Sequence, residues 1–341
     1  IFPLVSTRQL IKSKLTENDT MTIIGQDAIQ HKVSKVRTIG LFVVGETARA
    51  DHFSLNGYQG ETNPGLKEET ITNFSNTQAC GTSTAYSVPC MFSFYNKDDY
   101  SPSKANQQSN VLDILENTGI KTVWIDNNSS CKGVCKRIEH KNIFDHPDKN
   151  SNFFKDGELY DEQLINELDH YIFSTDKDIL IVLHTMGSHG PTYHRRYPSS
   201  AAHFKPYCQN DSPHTCSDQE VKNAYDNTIL YTDMVLTKLI HKLKGYADAE
   251  TFMYYASDHG ESLGENGIYL HGLPYILAPK AQKHVPMMLW LSPQYIASRG
   301  ESPQAILRDY QQTSHDNISH TLLDLYSVKS DILNKALSLV R

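Results

Sequence analysis

Short apolar runs of strand length recur along the chain, and each ends in a polar stretch rich in chemically active side chains. Thr38 to Gly45 runs into Glu46-Thr47-Ala48-Arg49, Ile120 to Ile125 into Asp126-Asn127-Asn128, Ile179 to Leu183 into His184, and Thr251 to Ala256 into Ser257-Asp258-His259-Gly260. A further run, His284 to Leu291, ends in Ser292-Pro293. Between these runs the spacing predicts helices over Asn110 to Asn117, Leu159 to Phe173, Asp218 to Lys244 and Thr313 to Tyr326. Strands that are apolar throughout, alternating with amphipathic helices, describe a mostly parallel sheet covered on both faces. Ligands of such sheets sit beyond the carboxyl ends of the strands. The polar residues that follow those ends are therefore expected to converge in space.

Ahead of these elements, Ile1 to about Val33 has no sustained period and reads as a leading linker, in which Leu4, Leu10, Ile11 and Leu15 have the spacing of a short amphipathic helix. The bland reading of that stretch, an ordinary surface segment, is the stronger one from these residues alone. From about residue 35 to 341 no linker divides the chain, which predicts one large α/β domain. The segment from Ala201 to Ser217 reads as an inserted loop over one rim.

Composition sets limits on what such a fold can do. With 39% apolar and 21% charged residues the chain can bury a sizeable core. A formal net charge of −7 argues against nucleic-acid binding, which needs a cationic field. The longest apolar runs fall far short of the ~20 residues a membrane helix requires. Six cysteines fall as three close pairs, Cys80 with Cys90, Cys131 with Cys135 and Cys208 with Cys216. Free thiols or a thiolate metal site would not account for all six pairing locally, and no C-x-x-C spacing favours zinc there. Nearest-neighbour disulfides and an oxidising compartment follow as expectations.

Glu46, Asp258 and His259 stand at strand ends, where a turn lets a carboxylate and an adjacent imidazole reach one cation, and Gly260 permits that turn. An oxygen and nitrogen donor set with a vacant position suits zinc or manganese. Singly, each is more often a satisfied polar group; together at the ends of one sheet they favour a metal. The string Cys80-Gly81-Thr82-Ser83-Thr84-Ala85 opens a helix with small hydroxyl residues, which alone would suit a cap. Coordination of Thr84 to the same cation would make its hydroxyl a nucleophile. His189 in Met186-Gly187-Ser188-His189-Gly190-Pro191 and His271 in Tyr269-Leu270-His271-Gly272 are candidates for proton transfer or a second metal. Asn128 and Lys132 are candidates for holding a phosphate oxygen or polar headgroup. His184, His194 and His203 carry no assignment, and His194-Arg195-Arg196 reads as a solvated charged face.

The strings VVGETARADHFSLNGY, CGTSTAYSVPCMFS, MGSHGP and SDHGESLGENGIYLHG resemble those of the lipid A phosphoethanolamine transferases, including the mobile colistin resistance enzymes, within the alkaline phosphatase and sulfatase superfamily. The resemblance runs from about Arg37 to Pro293. It implies a three-layer α/β/α sandwich and a zinc ion held by Glu46, Thr84, Asp258 and His259. It also implies that Asn128, Lys132, His189 and His271 line the donor pocket, with the two histidines able to take a second zinc. Family members carry a bundle of membrane helices ahead of a catalytic domain that faces the periplasm. On that basis residues 1–34 are expected to be a linker from such helices and 35–341 the catalytic domain, a monomer on the periplasmic face of the inner membrane.

The expected reaction is a two-step displacement that confers polymyxin resistance. Thr84 attacks the phosphorus of phosphatidylethanolamine, diacylglycerol leaves with a proton from His189 or His271, and a phosphate of lipid A then attacks the phosphoethanolamine-Thr84 intermediate. Two other readings compete. A phosphodiesterase or sulfatase-like hydrolase would use water as acceptor, although no C/S-x-P-x-R string for a formylglycine occurs. A non-catalytic domain binding anionic lipid would leave Thr84 unmodified.

Overall fold

The structure, a computed structural model, describes residues 21–145, 147, 149–155, 157–299 and 302–341. The stretch with Leu4, Leu10, Ile11 and Leu15 lies outside them. Seven strands form the central sheet: β1 (Thr38–Gly45), β2 (Ile71–Asn73), β3 (Lys121–Asp126), β4 (Glu139–Asn142), β5 (Ile179–His184), β6 (Glu250–Ser257) and β7 (Met287–Leu291), in the order β2-β7-β6-β1-β5-β3-β4. From β6 through β4 all neighbours are parallel, whereas β7 runs antiparallel to both β6 and β2.

Alternate residues of the central strands face opposite layers, as the strand period of two requires. Ile39, Leu41, Val43, Ile181, Met253 and Tyr255 pack with helices α3 (Gln163–Ile172) and α4 (Asp218–Lys244). Phe42, Val44, Leu180, Val182, Phe252 and Tyr254 pack with α1 (Thr84–Met91), α2 (Val111–Asn117) and α5 (Asp316–Leu325). Both layers bury the centre of the sheet, so each central strand reads as a continuous apolar run. The result is an α/β/α sandwich with a mostly parallel sheet.

Three elements differ from the sequence expectation, each for a local reason. The run His284 to Leu291 is not one strand, because Pro286 lacks an N–H to continue the ladder. His284–Val285 pairs instead with Thr77–Gln78 in a small separate sheet. The last helix starts at Asp316 rather than Thr313, since Thr313–Ser314 also pair with Thr77–Gln78. Glu158–Leu159 forms a hairpin with Phe154–Lys155, and α3 begins only at Gln163. The edge strands β2 and β4 are short and partly exposed, and apolar runs do not reveal them.

The three disulfides pair Cys80 with Cys90, Cys131 with Cys135 and Cys208 with Cys216, and no free cysteine is present. Within the leading segment, Ile29–Gln30 pairs with Val328–Lys329, and Lys32 Nζ meets Asp178 at 2.9 Å, so these residues lie along the body. No helix among the described residues is long and apolar enough to cross a membrane.

Two buried histidines link this fold to pH. His315 accepts the Cys80 N–H at Nδ1 (3.1 Å) and donates from Nε2 to Ser257 O (2.9 Å), while His320 Nδ1 accepts the Asn334 N–H at 3.1 Å. Burial pushes both imidazoles down to about 4. A histidine depressed in the folded state contributes stability that is full above its unfolded value of ~6.5 and is lost as pH falls towards the folded value. Urea unfolding of metal-free protein should therefore show a loss on the order of 2 kcal/mol per histidine between about pH 7.5 and pH 5. His320→Gln, which keeps an acceptor for Asn334 and does not titrate, should show a smaller drop; equal slopes would refute the assignment.

Candidate active site

The pairing of β1 with β6 sets Gly45 opposite Ser257, so Glu46 and Asp258 leave adjacent parallel strands at one level. Thr47 has a φ of 59°, costly for a β-branched residue, and the surroundings enforce it. Its N–H donates to Asp258 Oδ1 (3.1 Å), its carbonyl accepts from Tyr225 OH of α4 (2.7 Å), and the next N–H, of Ala48, reaches Ser257 Oγ (2.8 Å). On the other side Gly187 (φ 50°) passes so close that a Cβ there would lie 2.7 Å from Glu46 O. Asp161 fixes that loop by accepting from Met186 N and Gly187 N at 2.8 and 2.9 Å.

His259 donates from Nδ1 to Gly260 O at 2.8 Å, a carbonyl that can only accept, so this bond fixes the proton on Nδ1 when the ring is neutral. Nε2 is then turned to Glu46 Oε1 at 3.3 Å and Asp258 Oδ2 at 3.4 Å. All three side chains are fully buried, and their donor atoms lie within 4.8 Å of one another. Thr84, the first residue of α1, brings its hydroxyl to 3.2 and 3.1 Å from the two Glu46 oxygens and 3.4 Å from His259 Nε2. Its helix is held in place by the Cys80–Cys90 disulfide and by the bond from Gly81 N to Ser87 Oγ at 3.0 Å.

The cluster is short of positive charge. Burial and the neighbouring Glu46 carboxylate push Asp258 up to about 6. Burial alone would lower His259, yet Asp258 and Glu46 outweigh it and drive the imidazole up to about 10. Burial would likewise raise Glu46, but the hydrogen bond and charge of His259 hold it well below the usual carboxylate range. Asp258 Oδ2 has no hydrogen-bond donor. A buried carboxylate oxygen without a donor is costly, and a divalent cation would meet that need. Two carboxylates, one imidazole and a hydroxyl fit zinc.

Around this core the structure sorts the remaining sequence candidates. Asn128 reaches it directly, donating from Nδ2 to Glu46 Oε2 (2.8 Å) and Thr185 O (2.9 Å). The His271 ring lies 4.2 Å from that of His259, and the His189 ring 5.7 Å from that of His271. Burial pushes His189 down despite the opposing charge of Glu46. Lys132 has its amine bonded to Ser129 Oγ at 2.5 Å and lines a separate cleft with Pro89, Ser93 and Asn106. His184 lies beneath the site, 3.3 Å from Asp126, and His194 and His203 lie elsewhere, beside Asp211 and Phe204. Arg195 and Arg196 are paired with Asp211 and Glu158.

Sequence reasoning missed several supporting residues. Glu261, fully buried, meets His271 Nδ1 at 3.1 Å and accepts from Tyr193 OH at 3.2 Å. Asp126 accepts the Asn128 N–H at 2.6 Å and so shapes the turn that presents Asn128 to Glu46. Glu261 stands within the SDHGES string, which was its only signal; Tyr193 had none.

Zinc added to metal-free protein should raise its melting temperature, by an amount set by about 2.7 kcal/mol of linkage at 100 times Kd. Asp258→Ala should lose that shift. An unchanged shift in this variant would exclude the cluster as the metal site.

Known proteins share both this fold and much of the sequence. The sulfatase family model matches residues 39–328. Phosphoethanolamine transferase EptA of Escherichia coli K12 is 46% identical over 316 residues, covering 90% of this chain and 57% of its own length. Phosphatidylethanolamine transferase Mcr-1 of Escherichia coli is 42% identical over 325 residues, covering 93% of this chain and 59% of its own. The chain thus spans less than two thirds of these relatives. The crystal structure of the soluble domain of lipooligosaccharide phosphoethanolamine transferase A from Neisseria meningitidis matches with a TM-score of 0.89 at 37% identity, covering 95% of this chain and 98% of that one. The chain belongs to the sulfatase family and, within it, to the phosphoethanolamine transferases.

Proposed function

We propose that this chain is the zinc-dependent catalytic part of an enzyme that transfers phosphoethanolamine from phosphatidylethanolamine to a phosphate of lipid A. The observation that carries this reading is the Thr84 hydroxyl at the first turn of α1, within 3.4 Å of both Glu46 and His259. The transferase names of its relatives support the group transferred. Residues 1–34 would link a membrane domain to a catalytic domain of residues 35–341, a monomer on the periplasmic face of the inner membrane. The consequence for the cell would be polymyxin resistance.

Glu46, Asp258, His259 and Thr84 would hold the zinc, which lowers the hydroxyl pKa and offsets charge on phosphoryl oxygens when bound. Thr84 Oγ forms a bond to phosphorus as the bond from phosphorus to the diacylglycerol oxygen breaks, and the hydroxyl proton is released. His189 or His271 gives its proton to the departing oxygen. A phosphate oxygen of lipid A then attacks the same phosphorus and displaces Thr84, which regains a proton. Asn128 keeps Glu46 in place throughout, and Lys132 meets the headgroup. A second zinc on His189 and His271 is compatible with the closeness of their rings.

Incubation with labelled phosphatidylethanolamine, followed by peptide mapping, should find one phosphoethanolamine adduct on Thr84, absent in Thr84→Ala. Turnover that persists in this variant without an adduct would sink the mechanism. Product analysis with and without lipid A separates the transferase from a hydrolase, in which water takes the second step. His271→Ala should lower turnover by about 10² or more if this ring supplies the proton.

A further inference from the structure

After His271 the chain leaves the site, turns through Pro274-Tyr275-Ile276-Leu277-Ala278-Pro279, and returns at Gln282. Both limbs of this loop are fixed. Gly272 N donates to Thr82 O (2.8 Å), Thr82 Oγ1 to Leu273 O (2.6 Å) and Tyr275 OH to Ala79 O (3.0 Å), all shortly ahead of Thr84. On the return, the buried Gln282 donates from Nε2 to Ser262 Oγ and Leu270 O at 2.9 and 3.1 Å. The turn is closed by Leu277 N and Ala278 N, both donating to Pro274 O, at 2.8 and 2.9 Å.

This ordered turn presents Ile276 at 90% and Leu277 at 72% exposure, the only adjacent pair of large apolar side chains so exposed among the described residues. Single exposed apolar residues need no explanation, but two together on a rigid tip mark a contact surface. Cations surround the tip. Lys97 Nζ lies 3.5 Å and Lys283 Nζ 5.1 Å from the Tyr275 ring, and Lys280 follows the turn in sequence, against the exposed Asp98 and Asp99. An apolar tip with a cationic skirt complements a phospholipid surface, whose phosphates lie just outside its acyl chains.

We propose that the 274–279 turn docks this chain on a phospholipid bilayer. Ile276 and Leu277 enter the acyl boundary, and Lys97, Lys280 and Lys283 meet headgroup phosphates. Because the loop is stitched to residues 79–82, docking delivers a headgroup beside Thr84. The inference rests on the proposed function for what is turned over; attachment itself depends on the tip alone.

Flotation with vesicles of phosphatidylethanolamine and phosphatidylglycerol tests attachment on zinc-loaded protein. Wild type should float with the vesicles and detach as salt rises. The double variant Ile276→Asp, Leu277→Asp should lose about tenfold or more of the bound fraction, with its melting temperature and zinc response unchanged. Turnover of vesicle phosphatidylethanolamine should fall in parallel, while turnover of a monomeric short-chain analogue should stay within about twofold. Wild type that fails to float, or a variant that floats equally, overturns the proposal. So does concentration-dependent self-association that the double variant abolishes, since a second copy would then cover the tip. Tip-dependent flotation without turnover of either substrate leaves docking standing and removes the proposed reaction.

Discussion

Two carboxylates and one imidazole, buried together with an acidic oxygen left without a donor, are the constraint around which this molecule is organised. Bringing Glu46 and Asp258 this close in a dry site costs free energy through repulsion and desolvation. The fold bears that cost by rigid means. The β1–β6 register sets both backbones, Thr47 holds a strained φ under three hydrogen bonds, and Gly187 lets a third segment press against Glu46. Each feature holds in place a donor set that a divalent cation would fit.

Much of this was legible in the sequence because periodicity and strand-end chemistry are local signals. The apolar runs located four of the central strands within a residue or so at each end, and sheet logic gathered Glu46, Asp258 and His259 before any distance was known. A helix start rich in hydroxyls and two Gly-containing loops had already singled out Thr84 and the two outer histidines, and the family strings agreed. What stayed hidden was whatever depends on pairing partners far along the chain. Edge strands β2 and β4 lack an apolar run because only part of their surface is covered. Pro286 stands inside an apolar run, and its effect appears only when the two halves join different sheets. Asn128 was expected to face substrate, yet it bonds Glu46, a contact between residues whose sequence separation is 82.

The arrangement also divides labour by rigidity. Glu46, Asp258 and His259 directly follow two central strands, while the segment carrying Thr84 is closed on itself by a disulfide and joined by hydrogen bonds to the one carrying His271. Precise donor placement and an approachable nucleophile make opposite demands on burial. The structure accommodates both, with the fully buried Glu46, Asp258 and His259 on one side and a half-buried Thr84 hydroxyl on the other.

The contact between Thr47 and Asp258 spans 211 positions of sequence, and Thr84 meets His259 across 175. Contacts this distant form late in folding, because loop-closure entropy must be overcome before they give any return. A partly folded chain would therefore offer isolated carboxylates and histidines but no complete ligand set. A cation that needs all of these side chains would bind only once both halves of the chain have met.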